Sequence, residues 1–403
     1  MTKSKEVVII SNYYYPEMGA APGRITSLAE AFQEIGYKVR VICPLPNYPD
    51  GRIHKTYRGK LKASEIIRGV KVDRLWIYPS KSKNGFLRML SMISFAMSIL
   101  IFLPFIKSKT TNWFIVQSPP LFVSFFSVFA IKRFMGKKVC LNVSDLWPGS
   151  AVELGVLKKG KLYKLLCKME SYIYRKSDLI SGQSQEIVDH IEGFTSSPKF
   201  VYRNLPRTNS SGTSHDSLNE NRKVVYAGLL GFAQGVYKIC TEINFHSLGL
   251  EFHIYGNGME KEQIQEFIDQ NPERGLHYHG TFEQKEAGQI LQKYDAALVP
   301  LVVRIHGAVP SKVFELANLG VPILFAGGGE GADIVNKMGL GLTCDPGDVK
   351  AIESMLLNFK NLEEAEHISI RKRLDESSKL TFNYEEQFKN FVEFIEMDRE
   401  TQS

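Results

Sequence analysis

Short apolar runs alternate with longer amphipathic segments along most of the chain. In the first half, the apolar runs predict strands at 6–11, 38–43, 113–117, 138–143, 178–182 and 199–202. The segments between them predict helices at 24–35, 86–106, 120–135, 160–176 and 184–193. This alternation is typical of a doubly wound parallel sheet with helices on both faces, so we predict an α/β fold.

One polar stretch interrupts the pattern. Residues 207–222, RTNSSGTSHDSLNENR, are rich in Ser and Asn, which is typical of a linker. Strand-like runs return after it in KVVYAGLLG, EFHIYGNG, AALVPL and VPILFAGGG. We therefore predict an N-terminal domain over 1–206, this linker, a second parallel-sheet domain over 223–380, and a helix within 381–403 that packs back on the first domain. Two such domains are expected to face a cleft, with ligands at the carboxyl ends of the strands.

The composition narrows the class of protein. Hydrophobic residues make up 44% and charged residues 23%, which is typical of globular proteins. The five cysteines form no CxxC pair, which favours reduced thiols in a cytoplasmic protein and argues against a zinc site. The N-terminal MTKSKEVVIIS has no long apolar run, so we expect no secretory signal.

The net charge of +7 would suit nucleic acid, an anionic membrane or a phosphorylated substrate. Residues 89–106, MLSMISFAMSILIFLPFI, contain no charged side chain, and 119–134 is a second apolar run. The basic residues flanking the first run are Lys81, Lys83, Arg88, Lys107 and Lys109. A membrane span, a buried helix and a helix in the membrane interface all fit 89–106. Basic residues beside apolar runs favour an anionic membrane surface over nucleic acid.

The loop after the first predicted strand has small side chains. In NYYYPEMGAAPGRI, residues 12–25, Gly19, Ala20 and their neighbours precede Arg24. Small residues let backbone N–H groups approach a ligand, and an adjacent cation suits an anionic one. Arg24 could therefore reach a phosphate, or it could form a salt bridge on the helix surface.

A second glycine-rich turn follows the linker. KVVYAGLLGFAQG, residues 223–235, runs from a strand through Gly228, Gly231 and Gly235 into a predicted helix. Such a turn suits a diphosphate cradle, although an ordinary turn between a strand and a helix also favours glycine.

The third pattern is HGAVPSKVFELANLGVPILF, residues 306–325. Pro310 and Ser311 start a predicted helix, with Lys312 in its first turn and Glu315 one turn further on. A cation, free amides and a carboxylate together suit a nucleotide, with the diphosphate at Lys312 and the ribose hydroxyls at Glu315. A capped surface helix has the same pattern.

Asp145 lies in SDLWPGSAVELG, just past the predicted strand 138–143. We expect it in the same cleft as the opening loop, where it could bind sugar hydroxyls, steer a reaction or cap a helix. The sequence has no D-x-D triad of the kind that binds a metal, and no H-E-x-x-H, G-x-S-x-G or Walker loop. We therefore predict no metal and no cofactor.

The motifs together resemble a known family. The loop after the first strand, the YAG…G turn, YGNG and PSKVFELANLGVPIL occur in the order found in the GT-B retaining glycosyltransferases of family 4, over nearly the whole chain. YYYPEMGAAPGRI, LPNYPDG, SPPLF, SDLWPGSAVELG, YAGLLGFAQG and VPSKVFE more narrowly resemble a branch of bacterial O-antigen and capsule enzymes that includes N-acetyl-L-fucosaminyl transferases.

This resemblance implies two Rossmann-like domains and transfer of a sugar, with retention, from a UDP-sugar to a polyprenyl-diphosphate-linked saccharide. It implies catalytic roles for Asp145, Lys312, Arg304 and Gly19. The implied donor-binding residues are Gly19, Ala20, Arg24, Gly228, Gly231, Gln234, Gly256, Gly258, Pro310, Ser311, Lys312 and Glu315. Uracil contacts are expected near 255–258 and 280–283. The acceptor implies a peripheral or monotopic enzyme on the cytoplasmic face of the plasma membrane.

Two positions depart from the family's usual diphosphate clamp. Leu229 and Gln234 stand where many members have an Arg and a Lys. We therefore expect Lys312, Arg304 and the amides of 231–235 to meet the diphosphate charge.

Two further departures concern the sugar site. Gly307 stands where the first of two glutamates is usual, which leaves Glu315 as the second. Ser144 precedes Asp145 where a histidine is frequent. In the family that histidine contacts the oxygen at the sugar's 6-position, so its absence is compatible with a 6-deoxy sugar such as L-FucNAc.

Two other classes of function stay open. A UDP-sugar epimerase of the same architecture would need acid–base groups, for which His306 and His279 can be argued. A noncatalytic scaffold that binds sugar nucleotides would tolerate Leu229 and Gln234. Transfer or hydrolysis of the donor distinguishes an enzyme from a scaffold.

Overall fold

The computed structural model describes residues 5–48, 51–80, 85–106, 111–207 and 222–400. The chain divides into two compact units. The first comprises Met1–Arg203 with Phe388–Ser403, and the second comprises Asn204–Gln387. Each is built around its own sheet, which confirms the predicted α/β fold with two parallel-sheet domains.

The sheet of the first unit has eight strands. They are β1 (Glu6–Ile10), β2 (Lys38–Pro44), β3 (Lys62–Ile67), β4 (Val70–Leu75), β5 (Thr111–Ser118), β6 (Lys138–Val143), β7 (Leu179–Gly182) and β8 (Lys199–Val201). Their order is β3-β4-β2-β1-β5-β6-β7-β8, and only the pair β3–β4 is antiparallel. The strand order reverses between β1 and β5, where doubly wound sheets bind ligands.

Six helices belong wholly to the first unit among its described residues. They are α1 (Ala20–Glu34), α2 (Gly85–Phe102), α3 (Leu121–Ala130), α4 (Gly149–Glu153), α5 (Lys161–Lys176) and α6 (Gln185–Glu192). Helices α2, α3 and α5 pack with β1, β5 and β6 in one apolar cluster that includes Phe95, Val123 and Ile173. This cluster packs against the sheet along β1, β5 and β6.

The second unit has a six-stranded parallel sheet. Its strands are β9 (Arg222–Leu229), β10 (Leu250–Asn257), β11 (Leu276–Tyr278), β12 (Ala296–Pro300), β13 (Ile323–Ala326) and β14 (Gly341–Cys344). The helices are α7 (Val236–Glu242), α8 (Lys261–Gln270), α9 (Ala287–Leu291), α10 (Ser311–Asn318), α11 (Glu330–Met338), α12 (Val349–Lys360) and α13 (Glu364–Leu380). The order β11-β10-β9-β12-β13-β14 reverses between β9 and β12.

The last helix, α14 (Tyr384–Glu400), joins the first unit from Phe388 onward. There Phe388 and Phe391 pack against Phe32, and Phe391 also packs on Tyr202. Of the predicted linker 207–222, residues 208–221 lie outside the described residues. Arg222, which the prediction placed in the linker, is the buried first residue of β9.

The predicted strands of the first half all form, but the β3–β4 hairpin was missed. Its second strand contains a buried Asp73 and a buried Arg74, so it lacks the apolar run that marks a buried strand. Arg40 donates to the Asp73 carboxylate, and Arg74 donates to Glu65, which satisfies these charges inside the fold.

Helix α1 begins at Ala20, four residues before the predicted start at 24. Pro22 suggested a loop, but the first turn of a helix tolerates proline because its N–H has no partner within the helix. As a result, the small residues after Gly19 form the first turn of a helix.

The apolar segment 89–106 forms α2 and a short 3-10 turn, Leu103–Phe105. Phe95 and Ile99 are buried, whereas Ile101 and Phe105 are 55% and 80% exposed. Among the described residues no helix has the length and apolar character needed to cross a bilayer. The segment is therefore amphipathic and half-buried. Of the predicted flanking residues, Lys81, Lys83, Lys107 and Lys109 lie outside the described residues.

Candidate functional site

The loop after β1 ends in the exposed amino end of α1. Gly19 is the residue before the helix and has φ 129, a conformation that favours glycine. The Gly23 N–H donates to the Gly19 carbonyl at 3.0 Å, which closes the first turn. The N–H groups of Ala20 and Ala21 precede any possible partner within the helix, so they are available to an anion. Gly19 and Ala20 thus lie at the start of a helix, and their contact with a phosphate remains a prediction.

Two residues that sequence reasoning missed hold this loop in place. The buried carboxylate Oε1 of Glu17 accepts hydrogen bonds from the N–H groups of Asn47 and Tyr48, both at 3.0 Å. Arg74 Nη2 donates to the Tyr15 carbonyl at 2.6 Å. Glu17 thus joins the loop after β1 to the LPNYPDG loop after β2. The only sequence signal was a charged residue inside an otherwise apolar YYYPEMG segment.

Arg24 lies on the first turns of α1, one residue past the small segment. It is half-buried, and burial lowers the pKa of its guanidinium to about 10 from the usual 12.5. A cation that has lost part of its hydration interacts more strongly with an anion that reaches it. The role of Arg24 at a phosphate remains a prediction.

Asp145 follows β6, at the same edge of the sheet as the loop after β1. Its Oδ2 accepts a hydrogen bond from Ser150 Oγ at 3.1 Å. Its Oδ1 is buried and has no hydrogen-bond partner among the described residues. Burial raises the pKa of Asp145 above its usual value, and the Ser150 hydroxyl opposes the rise. Helix α4 is preceded by Pro148 and no described side chain caps it, so the helix-cap interpretation of Asp145 is wrong.

Ser144, the residue before Asp145, ties the ends of β5 and β6 together. Its hydroxyl donates to the Ser118 carbonyl at 3.1 Å and accepts from Gln117 Nε2 at 2.9 Å. The Ser144 side chain is thus short and engaged within the sheet.

In the second unit, the loops after β9 and β12 are hydrogen-bonded to each other. The Val302 N–H donates to the Ala233 carbonyl at 2.9 Å. Gly235, which has φ 64, lies next to this contact. A Cβ at Gly235 would come within 2.8 Å of Val302 Cγ2. The glycine turn predicted at 228–235 therefore lies at the reversal point of the second sheet, next to the segment that leads into α10.

Helix α10 brings together the residues of the PSKVFE motif. Pro310 precedes the helix and Ser311 is its first residue; no described side chain caps it. The Lys312 ammonium lies 2.8 Å from Glu315 Oε2. The two residues, about one helical turn apart, form an ion pair. Both side chains are partly exposed, at 33% and 18%. An uncapped helix end beside a cation and a carboxylate can bind a phosphate and a pair of hydroxyls.

The other helix at this edge, α7, is less suited to an anion. The buried Glu260 carboxylate accepts from the Tyr237 N–H in the first turn of α7, at 3.4 Å. A phosphate placed there would meet this negative charge. Gln234 has its Oε1 buried without a hydrogen-bond partner among the described residues, and Leu229 is 65% exposed. Neither side chain supplies the missing positive charge.

Three predicted donor-binding glycines have a packing role. A Cβ on Gly228 would lie 2.9 Å from the Tyr226 hydroxyl. On Gly256 it would lie 2.0 Å from the Gly228 carbonyl oxygen, and on Gly258 2.2 Å from the Leu230 carbonyl oxygen. These residues let the ends of β9 and β10 approach closely. Donor contact by them, and by Gly231, remains a prediction.

Arg304 lies in the exposed loop between β12 and α10. Its Cδ lies 3.2 Å from the Cβ position of Gly328, in the AGGGEG segment between β13 and α11. A Cβ on Gly331 would lie 2.9 Å from the Phe325 ring and 3.7 Å from Pro310. Sequence reasoning assigned this glycine run no role, although three successive glycines between a strand and a helix were a visible signal. The run lets Arg304 and the start of α10 pack closely.

The remaining predicted groups occupy distinct places. Gly307 has φ 79, a conformation in which a glutamate would be strained. His306 lies exposed in the same loop, whereas His279 stacks on Tyr255 beyond the end of β11. The segments 255–258 and 280–283 are adjacent, since the Gly256 N–H donates to the Gly280 carbonyl at 2.7 Å.

Residues 222–359, most of the second unit, match the family described as glycosyl transferases group 1. No curated protein is similar enough to this sequence to count as a match.

Several solved structures share the fold over almost their whole length. Sucrose-phosphate synthase from Thermosynechococcus elongatus is 12% identical, with TM-score 0.71 and coverage of 99% of this chain and 100% of that one. The structure described as trehalose-6-phosphate from E. coli bound with UDP-2-fluoro glucose is 11% identical, with TM-score 0.66 and coverage of 97% and 98%. WaaG, a glycosyltransferase involved in lipopolysaccharide biosynthesis, is 12% identical, with TM-score 0.66 and coverage of 96% and 99%. The fold is therefore that of the GT-B glycosyltransferases.

Proposed function

We propose that this protein is a retaining, metal-independent glycosyltransferase that moves a sugar from a UDP-sugar to a polyprenyl-diphosphate-linked saccharide. One observation carries the proposal. The segment similar to group 1 glycosyltransferases places Lys312 and Glu315 on the first turns of an uncapped helix, at the point where the strand order of its sheet reverses. Such a point is where doubly wound sheets bind nucleotides.

The donor would bind with its diphosphate at the start of α10. Lys312 and the first amides of α10 would neutralise the charge, with Arg304 from the preceding loop. Glu315 would release Lys312 to the phosphate and accept hydrogen bonds from the ribose hydroxyls. The likeness to a structure bound with UDP-2-fluoro glucose supports a UDP-sugar as donor.

The reaction needs no protein nucleophile. An acceptor hydroxyl oxygen forms the new bond to the anomeric carbon while the bond from that carbon to the diphosphate oxygen breaks on the same face. The leaving diphosphate oxygen takes the acceptor proton, and UDP departs. The protein contributes by positioning both substrates and stabilising the developing charge on the diphosphate. Asp145, with one buried oxygen unpartnered by described residues, would hold a sugar hydroxyl.

The first unit carries features that suit a lipid-linked acceptor at an anionic membrane. The outer side of α2 exposes Leu90, Met97 and Ile101, and Phe105 follows in the adjoining turn. A shallow cavity of about 590 Å³ lies along α5, in the same helical layer, and its lining includes Lys168, Arg175 and Lys176. Apolar side chains and cations on one layer are typical of proteins that lie on membrane interfaces.

The most specific part of the proposal concerns the donor sugar and the biosynthetic pathway. The short Ser144 side chain, tied to Gln117 and Ser118, provides no imidazole for a hydroxyl at the sugar's 6-position. This is compatible with a 6-deoxy donor, and we propose an N-acetylated one such as UDP-L-FucNAc. The likeness to WaaG, a glycosyltransferase involved in lipopolysaccharide biosynthesis, supports a role in making a bacterial surface saccharide, and we propose O-antigen or capsule synthesis.

The test is calorimetric titration of the detergent-purified protein with UDP and a panel of UDP-sugars, in the presence of EDTA. We expect tight UDP binding without metal, preference for one UDP-sugar, and UDP release that depends on a lipid-linked acceptor. Interconversion of UDP-sugars without acceptor would instead identify an epimerase. Binding of a UDP-sugar without release of UDP would identify a scaffold. Failure to bind UDP would contradict the proposal.

A further inference from the structure

Strands β10 and β11, at one edge of the second sheet, carry a group of histidines. Residues 251, 253 and 255 alternate along β10, so the side chains of Glu251, His253 and Tyr255 share one face. His253 pairs directly with His277 in the parallel register of β10 and β11. The opposite face of the same strands contributes Phe252 and Ile254 to the apolar core. The histidine group, defined here as Glu251, His253, His277 and His279, therefore lies on one surface of the sheet.

The polar atoms of this group are close together. His253 Nε2 lies 3.1 Å from Glu251 Oε2, and His253 Nδ1 lies 2.8 Å from His279 Nε2. The His253 and His277 rings stack at 4.7 Å between centroids. Ligand atoms of Glu251, His253 and His277 all lie within 4.8 Å of one another.

We propose that Glu251, His253 and His277 form a binding site for a divalent transition metal ion of the Zn²⁺ type. Two imidazoles and a carboxylate are a common ligand set for zinc, with water in the fourth position. Bonds of about 2.0–2.2 Å place two ligands of a tetrahedral ion about 3.3–3.6 Å apart, close to the separation of Glu251 and His253. His277 is exposed, so its ring can rotate to complete the site.

His279 gives the site a feature that simple packing does not require. A histidine that binds zinc through one ring nitrogen usually hydrogen-bonds through the other, which fixes its tautomer and orientation. His253 directs Nε2 toward Glu251 and Nδ1 toward His279. The buried imidazole is thus held with Nε2 facing Glu251, the other β10 ligand of the proposed site.

The surrounding charges are compatible with a metal ion. Lys223 lies 3.8 Å from Glu251 Oε2 and is the cation that a metal would displace. Nitrogen ligands favour zinc and similar ions over Mg²⁺ and Ca²⁺, which prefer oxygen.

The site would link two strands at a sheet edge. Strand β11 has three residues, Leu276–Tyr278, and among the described strands it pairs only with β10. A metal bound by Glu251 and His253 from β10 and by His277 from β11 would cross-link these two strands and stabilise the edge of the sheet. Because a ligand of the folded state stabilises it, Zn²⁺ should raise the Tm.

The experiment is titration of tag-free, metal-stripped full-length protein with Zn²⁺ against a chromophoric chelator, and with Co²⁺ read by its visible absorption. We expect one high-affinity equivalent and the strong absorption of tetrahedral Co²⁺. His277→Ala should weaken binding by at least about 100-fold, and His279→Ala by about 10–100-fold, the range typical for loss of a partner that orients a ligand. His246→Ala, which removes an exposed histidine of the same unit, should bind like the wild type.

Equal Zn²⁺ affinity in the wild type and His277→Ala, or no tight equivalent in the wild type, would overturn the site. Because His277 is exposed, its replacement should leave the fold intact, and circular dichroism checks this. The experiment measures metal affinity and not sugar transfer. A negative result would therefore leave the proposed glycosyltransferase function unaffected.

Discussion

The Lys312 ammonium and the Glu315 carboxylate form a 2.8 Å ion pair on the first turns of α10. The ion pair therefore holds both side chains in position before a nucleotide binds. Because both are partly exposed, a diphosphate and a ribose can exchange for this contact at modest cost. The pair suggests separate roles that mutations can distinguish.

Lys312→Ala should lower kcat by about 10²–10³-fold, since loss of one group that stabilises transition-state charge has that typical effect. The fold should be unaffected because the side chain is partly exposed. Steady-state release of UDP measures the change. Lys337→Ala is the matched control, since Lys337 pairs with Asp333 on α11. Wild-type turnover in Lys312→Ala would remove Lys312 from the diphosphate site.

Glu315→Ala should weaken uridine and UDP binding by a similar factor. Hydrogen bonds from ribose hydroxyls to a carboxylate are worth roughly 1.5–3 kcal/mol, or about 10–100-fold in Kd. Lys312→Ala should weaken UDP binding but not uridine binding, because uridine has no phosphate. Calorimetry with both ligands separates the two roles. Unchanged uridine affinity in Glu315→Ala would mean that Glu315 serves only its ion pair.

Asp145→Asn should lower turnover by about 10–100-fold, the value of a hydrogen bond to a charged group. Burial raises the pKa of Asp145, so the wild-type rate should rise with pH at higher pH than for an ordinary aspartate. The Asn variant should lose this acidic limb. The pH dependence of kcat/KM checks it, with Asp189→Asn, an exposed carboxylate on α6, as control. An unchanged acidic limb in Asp145→Asn would assign that titration to another group.

Glu17→Ala should destabilise the first unit by about 1–3 kcal/mol, because two backbone amides lose their acceptor. Glu17→Gln keeps an oxygen acceptor and should restore most of that stability. Urea unfolding measures both variants. Equal stability of Glu17→Ala and the wild type would show that the loop after β1 does not depend on Glu17.

Glu17 also predicts a pH dependence of stability. Burial raises its pKa in the folded state above the ordinary 4.5. Between these two values the folded state holds a proton that the unfolded state has lost, so the free energy of unfolding falls as pH rises. Glu17→Gln should lack this slope. A slope equal to that of the wild type would contradict the assignment.

The double variant Ile101→Asn with Phe105→Ser should reduce binding to vesicles that contain anionic lipid. Each buried apolar side chain contributes about 1.5–3 kcal/mol, so the loss should exceed about tenfold. Cosedimentation with vesicles measures it. Ile66→Asn is the matched control, since Ile66 is 77% exposed on β3. Equal binding by the double variant and the wild type would exclude α2 as the membrane contact.

Local patterns were sufficient to predict the α/β fold and most of its strands. The period-two and apolar runs of β1, β5, β6, β9, β10, β12 and β13 are short-range signals, because burial on both faces of a parallel sheet selects apolar residues in sequence. The start of α10 was equally visible, since Pro310, Ser311, Lys312 and Glu315 are consecutive or one turn apart. Residues within one turn of each other need no tertiary information to be placed together.

What the sequence could not determine was set by contacts between distant segments. Strand β4 could not be predicted from its own sequence because it contains the charged residues Asp73 and Arg74. Their buried charges are paired with Arg40 and Glu65 from other strands. Glu17 acquires its role only where the loop after β2 approaches it. The carboxylate beside the first turn of α7 comes from Glu260, 23 residues downstream of Tyr237. The pairing of His253 with His277 depends on the register of β10 and β11, which no local pattern specifies. Periodicity determines which face of an element is apolar, whereas the partners of buried polar groups depend on how distant elements pack.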